Sequence, residues 1–339
     1  MKGVVLPRDA GAHAVDYEWW YAHGYLHNEA KHQYGFMFSF FKFDAAVVKK
    51  FFPQFSWYPA RQLFFLHLGL TDITAQTHHF DEFLFAPIVG HTGAARKKVN
   101  VFYGPNHLRE EGDRRLHLAM RHHRKKIHLH FFDLKGPVLH GHKGVLTFPK
   151  LGSPFYYSHP RLLVEGSMEN NGEKHLEFVS GSAWVDHQWG DFARHQPFLS
   201  WNWAGIQLED GSELMIYEVF LEDGKSRGVK ATYFSRAEKT RVVSASWHPL
   251  RTWRSPKSKV RYPIDHELRI PALKLALRLH ADVDDQEMHS SFFNYWEGAC
   301  SVVGTHAGRP ISGKAYLELT GYDRLSEVAL NRRLGGPRR

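Results

Sequence analysis

Residues 163–186, LVEGSMENNGEKHLEFVSGSAWVD, align without a gap with residues 295–318, YWEGACSVVGTHAGRPISGKAYLE. Six residues recur at an offset of 132, among them an early Glu-Gly pair and a later Ser-Gly-x-Ala run. The copies differ beyond the repeat, where the first continues with HQW (187–189) and the second with LTG (319–321). Features present in both copies indicate what builds the fold, whereas features confined to one copy are candidates for function.

Short aromatic-rich runs bounded by turn residues occur along the whole chain and predict β-strands. The clearest hairpin is WNWAGIQL-EDGS-ELMIYEVF (201–220), in which two strand-length runs flank an Asp-Gly turn. Helical periodicity is scarce. Many short strands in two related segments predict an all-β fold of two antiparallel barrels or sandwiches in tandem, with few helices. A polar, proline-containing stretch at 193–200 separates strand runs, so we expect domains at residues 1–194 and 195–339.

The composition is that of a globular protein with an excess of basic charge. The chain has 339 residues, 43% of them hydrophobic and 14% aromatic, which is enough for two domains with their own cores. The formal net charge of +9 comes partly from basic runs at 96–98, 121–126 and 332–339. Such runs usually form solvated basic surfaces. The functional alternative is peripheral contact with an anionic membrane surface. The sequence contains no nucleic-acid-binding motif, so we expect no nucleic-acid partner.

Cysteine usage and the chain start bear on the cellular compartment. Cys300 is the single cysteine, so an intrachain disulfide is excluded. The apolar run at residues 4–6 is too short for a signal peptide, and no stretch approaches the ~18 apolar residues of a membrane span. We therefore expect a cytoplasmic protein, although removal of a leader would leave the same sequence.

The strongest candidate for chemistry is the run Asp186-His187-Gln188-Trp189 in the first copy. Strand alternation places His187 and Trp189 on one face and Asp186 on the other. Histidine exchanges protons near neutral pH, and an indole face stabilises a nearby cation. The alternative is a buried histidine in a hydrogen-bond network at the domain junction. Asp186 has an acidic counterpart, Glu318, which favours a structural role or a role in orienting a neighbour.

The hairpin at 201–220 is the second candidate. Trp201 and Trp203 share one face of its first strand, and Asn202 lies on the other. Tyr217, on the second strand, carries a phenol that could donate a hydrogen bond or relay a proton. Trp203 and Tyr217 are also typical core residues, so a structural role is the alternative.

The third candidate is Glu18 in the aromatic run EWWY (18–21). Glu18 and Trp20 share a face, and a carboxylate buried beside indoles would have a raised pKa and could donate a proton. The alternative is that Glu18 pairs with Arg8 or another basic residue and pins the N-terminus across a barrel end. His67 alternates with apolar residues, which is typical of a cavity wall or of a core histidine.

A histidine-rich stretch between residues 117 and 142 invites interpretation as a metal site, since His128 and His130 share a strand face. No cysteine or glutamate joins them at a metal-site spacing, and the basic residues at 121–126 would repel a cation. We therefore expect no metal. The sequence contains neither a nucleophile elbow nor a phosphate-binding glycine loop, so we expect no cofactor.

Several motifs resemble the AttH/CrtC lipocalin-like family. They include DYEWWYAHGYL (16–26), GSAWVDHQWG (181–190), RTWRSPKSKVRYP (251–263) and GRPISGKAYLELTGY (308–322), and the resemblance covers about residues 7–322. It implies two lipocalin-like β-barrel domains in tandem. The family includes carotenoid hydratase, kievitone hydratase and decalin-forming Diels–Alderases, so the resemblance implies a polyene, prenyl or polyketide substrate held between the domains.

The resemblance also exposes one departure from the hydratase pattern. In the hydratase branch, a carboxylate that is a candidate acid lies two residues after the tyrosine that Tyr217 matches. This chain has Val219 there, and Glu218 points the other way. The departure counts against hydration and favours a cyclase.

The sequence as a whole predicts a tandem lipocalin-like protein that binds a long apolar isoprenoid or polyene ligand and acts on it without a cofactor. In the leading hypothesis, hydration, a protonated His187 donates the proton to a double bond, with Glu18 or Tyr217 as alternative donors and Asp186 as their partner. The predicted ligand contacts are Trp20, Trp189, Trp201, Trp203, His67 and Asn202. The alternatives are a cyclase, pericyclase or isomerase, and a non-catalytic lipid carrier.

Overall fold

The chain folds into two antiparallel sheets. The computed structural model describes residues 3–51, 61–84, 91–147, 152–170, 176–191, 200–220, 224–291, 293–325 and 334. Both sheets curl into half-barrels, so the prediction of an all-β, lipocalin-like fold is confirmed. Among the described residues, the helices are α1 (Ala45–Phe51) and three short 3₁₀ helices, Arg8–Ala10, Pro271–Leu273 and Tyr322–Arg324. In the described part of the chain, no helix is long and apolar enough to cross a membrane.

The first sheet has twelve strands. They are β1 (Tyr17–Asn28), β2 (Gln33–Asp44), β3 (Gln62–Asp72), β4 (Thr77–Leu84), β5 (Thr92–Ala94), β6 (Asn100–Tyr103), β7 (Asn106–Glu110), β8 (Arg115–His122), β9 (Lys125–Asp133), β10 (Val138–Leu139), β11 (Phe155–Asn170) and β12 (Leu176–Gly190). Their order is β4-β3-β2-β1-β12-β11-β9-β8-β7-β6-β5, and β10 pairs with β11. Strands β1 and β12, which carry most of the first-copy candidates, are therefore neighbours at the centre of the sheet.

The second sheet has ten strands. They are β13 (Ser200–Leu208), β14 (Glu213–Phe220), β15 (Ser226–Phe234), β16 (Thr240–Ser244), β17 (Ser246–Arg254), β18 (Arg261–Ile270), β19 (Leu275–Ala281), β20 (Glu287–His289), β21 (Asn294–His306) and β22 (Arg309–Thr320). Their order is β16-β15-β14-β13-β22-β21-β19-β18-β17, and β20 pairs with β21. The hairpin predicted at 201–220 is confirmed as β13–β14.

The chain divides into two compact units. The first comprises Met1–Leu70 and Phe80–His195, and the second comprises Thr71–His79 and Gln196–Arg339. The turn between β3 and β4 therefore belongs to the second unit. The polar stretch at 193–200, where the sequence predicts a domain boundary, lies almost wholly outside the described residues.

Each sheet packs an apolar core on one of its faces, because alternate residues of a strand point to the same side. In the first unit the fully buried members include Trp20, Ala22, Phe36, Phe38 and Phe40, each at most 1% exposed. In the second unit they include Ala204, Ile206, Leu208, Leu214 and Ile216, also at most 1% exposed. We call this side of each sheet its core face and the other side its opposite face.

The repeated segments form the central hairpins of the two sheets, β11–β12 and β21–β22. Gly181 of β12 and Gly313 of β22 lie against equivalent places on β1 and β13, which agrees with the offset of 132. On the other strand, however, Gly166 of β11 is equivalent to Gly304 of β21, at an offset of 138. The gapless alignment is therefore wrong for β11 and β21. Gly166 pairs with Val179, thirteen residues later, whereas Gly304 pairs with Ile311, seven residues later, so the second hairpin is six residues shorter between equivalent pairs.

Candidate active site

Four of the predicted residues lie together on the core face of the first sheet, near the end of β1 and β12. Trp20 pairs with His187, and Glu18 pairs with Trp189, in the register of these two strands. All four side chains are buried, with at most 3% exposed. We call Glu18, the groups that bind it and these aromatic rings the Glu18 cluster.

Glu18 is the centre of hydrogen bonding in this cluster. Its carboxylate accepts hydrogen bonds from the backbone N–H of His13 at 3.0 Å and from Lys42 Nζ at 2.8 Å. His13 Nδ1 and His187 Nε2 lie 2.7 and 2.9 Å from Oε1 of the same carboxylate. Lys42 reaches it because β2 pairs with β1 and places Lys42 directly opposite Glu18.

These contacts decide the charge of Glu18. Burial opposes its ionisation, but hydrogen bonds from His13 and His187, together with the charge of Lys42, lower its pKa to about 2. The expectation of a raised pKa, and with it a role for Glu18 as proton donor, is therefore wrong. The alternative is closer, since Glu18 pairs with a basic residue and fastens the N-terminal segment, but that residue is Lys42, and Arg8 instead pairs with Asp9.

His187 is buried among aromatic rings. Its ring stacks on Trp20 with centroids 4.5 Å apart, and the Trp189 ring is also 4.5 Å away. Burial lowers the pKa of His187, and the hydrogen bond with Glu18 offsets only part of this effect. A neutral imidazole that donates its Nε2–H to Glu18 leaves Nδ1 to accept from the Tyr157 hydroxyl, 3.3 Å away. His187 is thus not the protonated acid that the leading hypothesis requires.

The same cluster contains three metal-ligating side chains close together. The ligand atoms of His13, Glu18 and His187 lie within 4.8 Å of one another, the one such group found in the described part of the chain. The ammonium of Lys42 already occupies the second oxygen of Glu18 at 2.8 Å and is itself buried. A divalent ion would have to bind next to this positive charge. Electrostatic repulsion therefore favours Lys42, and not a metal ion, as the positive partner of Glu18.

Lys42 and Tyr157 escaped the sequence analysis, and His13 was noted only as a histidine upstream of Glu18. His13 stacks on Trp189 with centroids 4.2 Å apart, and Tyr157 packs with Val4 near the same indole. The spacing of these residues along the sequence predicts neither contact. The sequence does carry a signal for Lys42, because it is the only charged residue between Gln33 and Phe43, in an aromatic run whose other members are buried or half-buried.

Asp186 lies apart from this cluster, on the opposite face of the first sheet. It is 3% exposed. Its carboxylate accepts hydrogen bonds from Trp184 Nε1 at 2.6 Å, from the Tyr156 hydroxyl at 2.8 Å and from the Ser158 hydroxyl. Three buried donors fix this side chain, as the predicted structural role requires.

His67 and Asn202 are buried and hydrogen-bonded. His67, on the opposite face of the first sheet, is 2% exposed, and its Nε2 lies 3.0 Å from Glu82 Oε1. Asn202, on the core face of the second sheet, accepts a hydrogen bond from the Tyr322 hydroxyl at 2.9 Å. His67 therefore lies on the opposite face of the first sheet, and Asn202 lies on the core face of the second.

The remaining predicted residues lie on the opposite face of the second sheet, where polar and aromatic groups form a row across four strands. Trp203 of β13 pairs with Tyr217 of β14 on one side and with Glu318 of β22 on the other. Glu297 of β21 pairs with Glu318 and ends the row. Trp201 lies two residues before Trp203 and donates a hydrogen bond to Glu318. We call these five residues the Glu318 row.

Glu318 is a carboxyl group of a different kind from Glu18. Burial raises its pKa, and hydrogen bonds from Trp201 and from the Thr320 hydroxyl, the latter 2.9 Å long, offset only part of the effect. Both donors are neutral, so neither supplies the charge that Lys42 gives to Glu18. Burial also raises the pKa of Tyr217 to about 12, which keeps its phenol protonated at neutral pH. The row therefore places a carboxyl group with a raised pKa beside two indoles and a phenol.

The two units carry different side chains at the positions of Glu318 and of the Glu18 cluster. The position of Glu318 is taken by Asp186 in the first sheet, where three donors hold the carboxylate. Glu318 gave no signal in the sequence, because both copies have an acidic residue at this position. The two carboxyl groups differ in the hydrogen-bond donors that surround them. Conversely, Ser200, Phe220 and Leu319 of the second sheet are equivalent to Glu18, Lys42 and His187 of the first.

The fold and the two polar groups set among aromatic rings define a protein of two lipocalin-like units. The chain belongs to the AttH-like family, whose model matches residues 1–322, and the resemblance seen in its motifs is confirmed. An AttH protein from Nitrosomonas europaea is 26% identical, with a TM-score of 0.80 over 95% of this chain and 98% of the other. A search of curated proteins returned no match.

More distant solved structures share the fold. Kievitone hydratase from Nectria haematococca is 17% identical, with a TM-score of 0.74 over 95% of this chain and 94% of the other. CghA, solved with Sch210972, is 11% identical, with a TM-score of 0.55 over 90% of this chain and 88% of the other. Identities this low show a common fold and leave the chemistry to be argued from the residues of each chain.

Proposed function

We propose that this protein is an enzyme that hydrates a double bond of an apolar isoprenoid or polyene substrate, without a cofactor and with Glu318 as the proton donor. One observation carries the proposal: a half-buried glutamate with a raised pKa lies in a row with Trp203 and Tyr217 and accepts a hydrogen bond from Trp201. A carboxyl group that keeps its proton closer to neutral pH is a better general acid. The shared fold with a kievitone hydratase is consistent with this chemistry.

The reaction follows from these side chains. Glu318 transfers its proton to one carbon of the double bond, and the positive charge that develops on the other carbon faces the indoles of Trp201 and Trp203. A water molecule oriented by the Tyr217 phenol forms the new carbon–oxygen bond. The proton that this water loses returns to the Glu318 carboxylate, so the enzyme ends in its starting state and one water has been added.

The proposal moves the acid from the first unit to the second. His187 is neutral and Glu18 is ionised, so the Glu18 cluster stabilises the fold around the N-terminal segment in this account. The binding of a ligand between the two domains, with Trp20 and Trp189 among its contacts, stays a prediction.

Product analysis in a suitable host tests the proposal. A host that makes acyclic carotenoids and shorter prenyl alcohols expresses the wild type, Glu318→Gln or the control Glu267→Gln, at a half-buried glutamate of β18. The lipids of each culture are examined by mass spectrometry. We expect a product one water heavier with the wild type and the control. Loss of the acid should lower its amount by about 10²–10⁴-fold in Glu318→Gln. Hydrated product at the wild-type level in Glu318→Gln would contradict the assignment.

A cyclase or pericyclase is the second candidate, and the observation that favours it is Val219 in place of the hydratase carboxylate. In that reaction the phenol of Tyr217 and the indole N–H groups act as hydrogen-bond donors and no proton is transferred. The product then has the mass of the substrate, and Glu318→Gln keeps most of the activity. Ligand retained by the purified protein without any new product would instead indicate a carrier.

A further inference from the structure

Three apolar side chains are exposed on the opposite face of the first sheet, along the hairpin of β11 and β12. Phe178 and Leu176 of β12 are 67% and 46% exposed, and Leu163 of β11 is 41% exposed. The solvent-covered face of an antiparallel sheet normally carries polar side chains, and several exposed apolar residues on one face mark an interaction surface. This part of the sheet is therefore a candidate docking surface.

Charged side chains on the same face are sorted by strand, with the acidic ones on β11 and the basic ones on β8 and β9. They are Glu165 and Glu169 on β11, Lys126, His128 and His130 on β9, and Arg115, His117 and Arg121 on β8. Strands β8 and β9 are neighbours, and β11 follows β9 in the sheet. The face therefore presents one acidic strand beside two basic strands.

The register aligns these side chains in rows that run across the strands. One row consists of Phe178 of β12, Ser167 of β11, His128 of β9 and Ala119 of β8. The next row consists of Leu176, Glu169, Lys126 and Arg121 on the same four strands. Each row thus runs from an apolar side chain on β12 to β8 on the other side of β9.

A two-fold axis makes this face complementary to itself when it lies midway between β9 and β11 and parallel to them. Such an axis keeps each row in place and exchanges β11 with β9, and β12 with β8, between the two copies. Glu169 of one copy then lies over Lys126 of the other, and Phe178 lies over Ala119. Acid therefore meets base, and the exposed ring meets a methyl group instead of a long polar side chain.

The ion pair of Glu169 with Lys126 inside one sheet is compatible with these contacts. Its charged atoms are 3.4 Å apart, and both side chains are more than one-third exposed. An exposed pair of this kind contributes little, so each side chain can turn towards a second copy at small cost. Two such pairs, one from each copy, form a square in which every charge has neighbours of the opposite sign.

We propose that the opposite face of β8, β9, β11 and β12 binds a second copy of this chain and forms a symmetric dimer. Sheets that pack face to face lie about 10 Å apart with their strands about 30° from parallel, which this arrangement of strands allows. An anionic lipid surface fits Phe178 less well, because Glu165 and Glu169 are its diagonal neighbours on β11 and would be repelled by the headgroups.

Sedimentation velocity of the full chain over a concentration series tests the dimer. We expect the wild type to associate as its concentration rises, and Phe178→Ser to raise the dissociation constant by more than about 10-fold. The matched control is Val303→Ser, at a valine of β21 that is 58% exposed, which should associate as the wild type does. Circular dichroism checks the fold of each variant.

Charge reversal separates contacts between copies from contacts within one copy. Glu169→Lys and Lys126→Glu each set like charges opposite one another across the two-fold axis, so each variant alone should associate at least about 10-fold more weakly than the wild type. An equimolar mixture of the two variants sets opposite charges across the interface again and should recover association. A change confined to one sheet cannot produce this recovery.

Four results would overturn the proposal. One is a wild-type protein that stays monomeric throughout the concentration series. Another is a dissociation constant that Phe178→Ser leaves unchanged. The third is a mixture of the two charge variants that associates no better than either variant alone. The fourth is a monomer that sediments with phosphatidylserine vesicles and loses this binding in Phe178→Ser, which would assign the face to a lipid surface instead.

Discussion

Glu18 and Glu318 are both set among indole rings, and their neighbours shift their pKa values in opposite directions. Lys42 and two histidines surround Glu18, so its pKa falls to about 2. Trp201 and Thr320 are the neutral donors to Glu318, so burial dominates and its pKa rises. The residue type alone therefore predicts neither state; the donors that the fold brings within reach decide it.

The first prediction concerns the stability provided by Glu18. Replacing it by glutamine leaves the Lys42 ammonium buried without its counter-charge, which should lower the free energy of unfolding at pH 7 by about 3–5 kcal/mol. Because its pKa is lowered in the folded state, Glu18 stabilises the protein above the unfolded pKa, and this contribution is lost as the pH falls towards about 2. Urea unfolding at neutral and acidic pH measures the difference between wild type and variant.

The control for this experiment is Glu169→Gln, which removes an ion pair with Lys126 in which both side chains are more than one-third exposed. That change should cost less than about 1 kcal/mol at any pH. A Glu18→Gln variant as stable as Glu169→Gln at pH 7 would show that the buried pair contributes nothing. A difference that stays constant down to the lowest pH would contradict the assigned charge.

The second prediction concerns the pH dependence of turnover. A general acid works only in its protonated form, so the rate should fall as the pH rises through the raised pKa of Glu318. Rate profiles of the wild type and of Tyr217→Phe, with product followed by mass spectrometry, measure this. The Tyr217→Phe profile should fall at the same pH with a lower maximum. A rate that rises with pH through this range would rule out Glu318 as the acid.

At the scale of strands and hairpins, the repeat in the sequence identified the central hairpin of each sheet, and the strand signals identified β13–β14. The gapless alignment did not predict the register of β11 and β21, because the span between paired residues is shorter in the second hairpin: Gly166 pairs with Val179, thirteen residues later, and Gly304 pairs with Ile311, seven residues later. Comparison of the copies showed that His187 and Trp189 occur in the first copy alone, and it did not relate Glu18 to them. The contacts of Lys42 and His13 with Glu18 could not be deduced, because they depend on β1–β2 pairing and on the path of the N-terminal segment.

The third prediction tests the glycines that let neighbouring strands approach in these hairpins. A Cβ on Gly313 would overlap the Gln207 carbonyl oxygen and lie 3.1 Å from the Leu208 Cα. Gly313→Ala should therefore destabilise the protein by about 1–3 kcal/mol, as overpacking does. Ser312→Ala, one residue earlier on the same strand, should stay within about 0.5 kcal/mol of the wild type. Equal unfolding free energies for the two variants would mean that β13 and β22 are not packed in this way.

For the whole molecule, two units of one fold carry different polar groups, and the charge distribution is uneven as well. The net charge is +9, and the basic runs at 96–98 and 121–126 both belong to the first unit. An apolar substrate partitions into membranes, so we propose that this charge holds the protein weakly at an anionic lipid surface.

The fourth prediction tests this surface contact with lipid vesicles. Co-sedimentation should be greater with phosphatidylserine-containing vesicles than with phosphatidylcholine alone, and it should disappear near 1 M salt, where the screening length falls to about 3 Å. Replacing Arg96, Lys97 and Lys98 by glutamine should weaken the vesicle binding. The charge-conserving substitution Lys97→Arg should leave the binding unchanged. Equal binding to both kinds of vesicle, or binding insensitive to salt, would exclude an electrostatic contact.

The central claim is that Glu318 retains its proton where an ordinary glutamate has lost it, and a direct titration tests this claim without knowledge of the substrate. Infrared difference spectra of the wild type minus Glu318→Gln, recorded over a pH series, isolate the protonated-carboxyl band of this residue. The account predicts a band whose midpoint lies above the usual glutamate value of about 4.3. A midpoint at or below that value would show Glu318 to be an ordinary carboxylate and would remove the proposed acid from the mechanism.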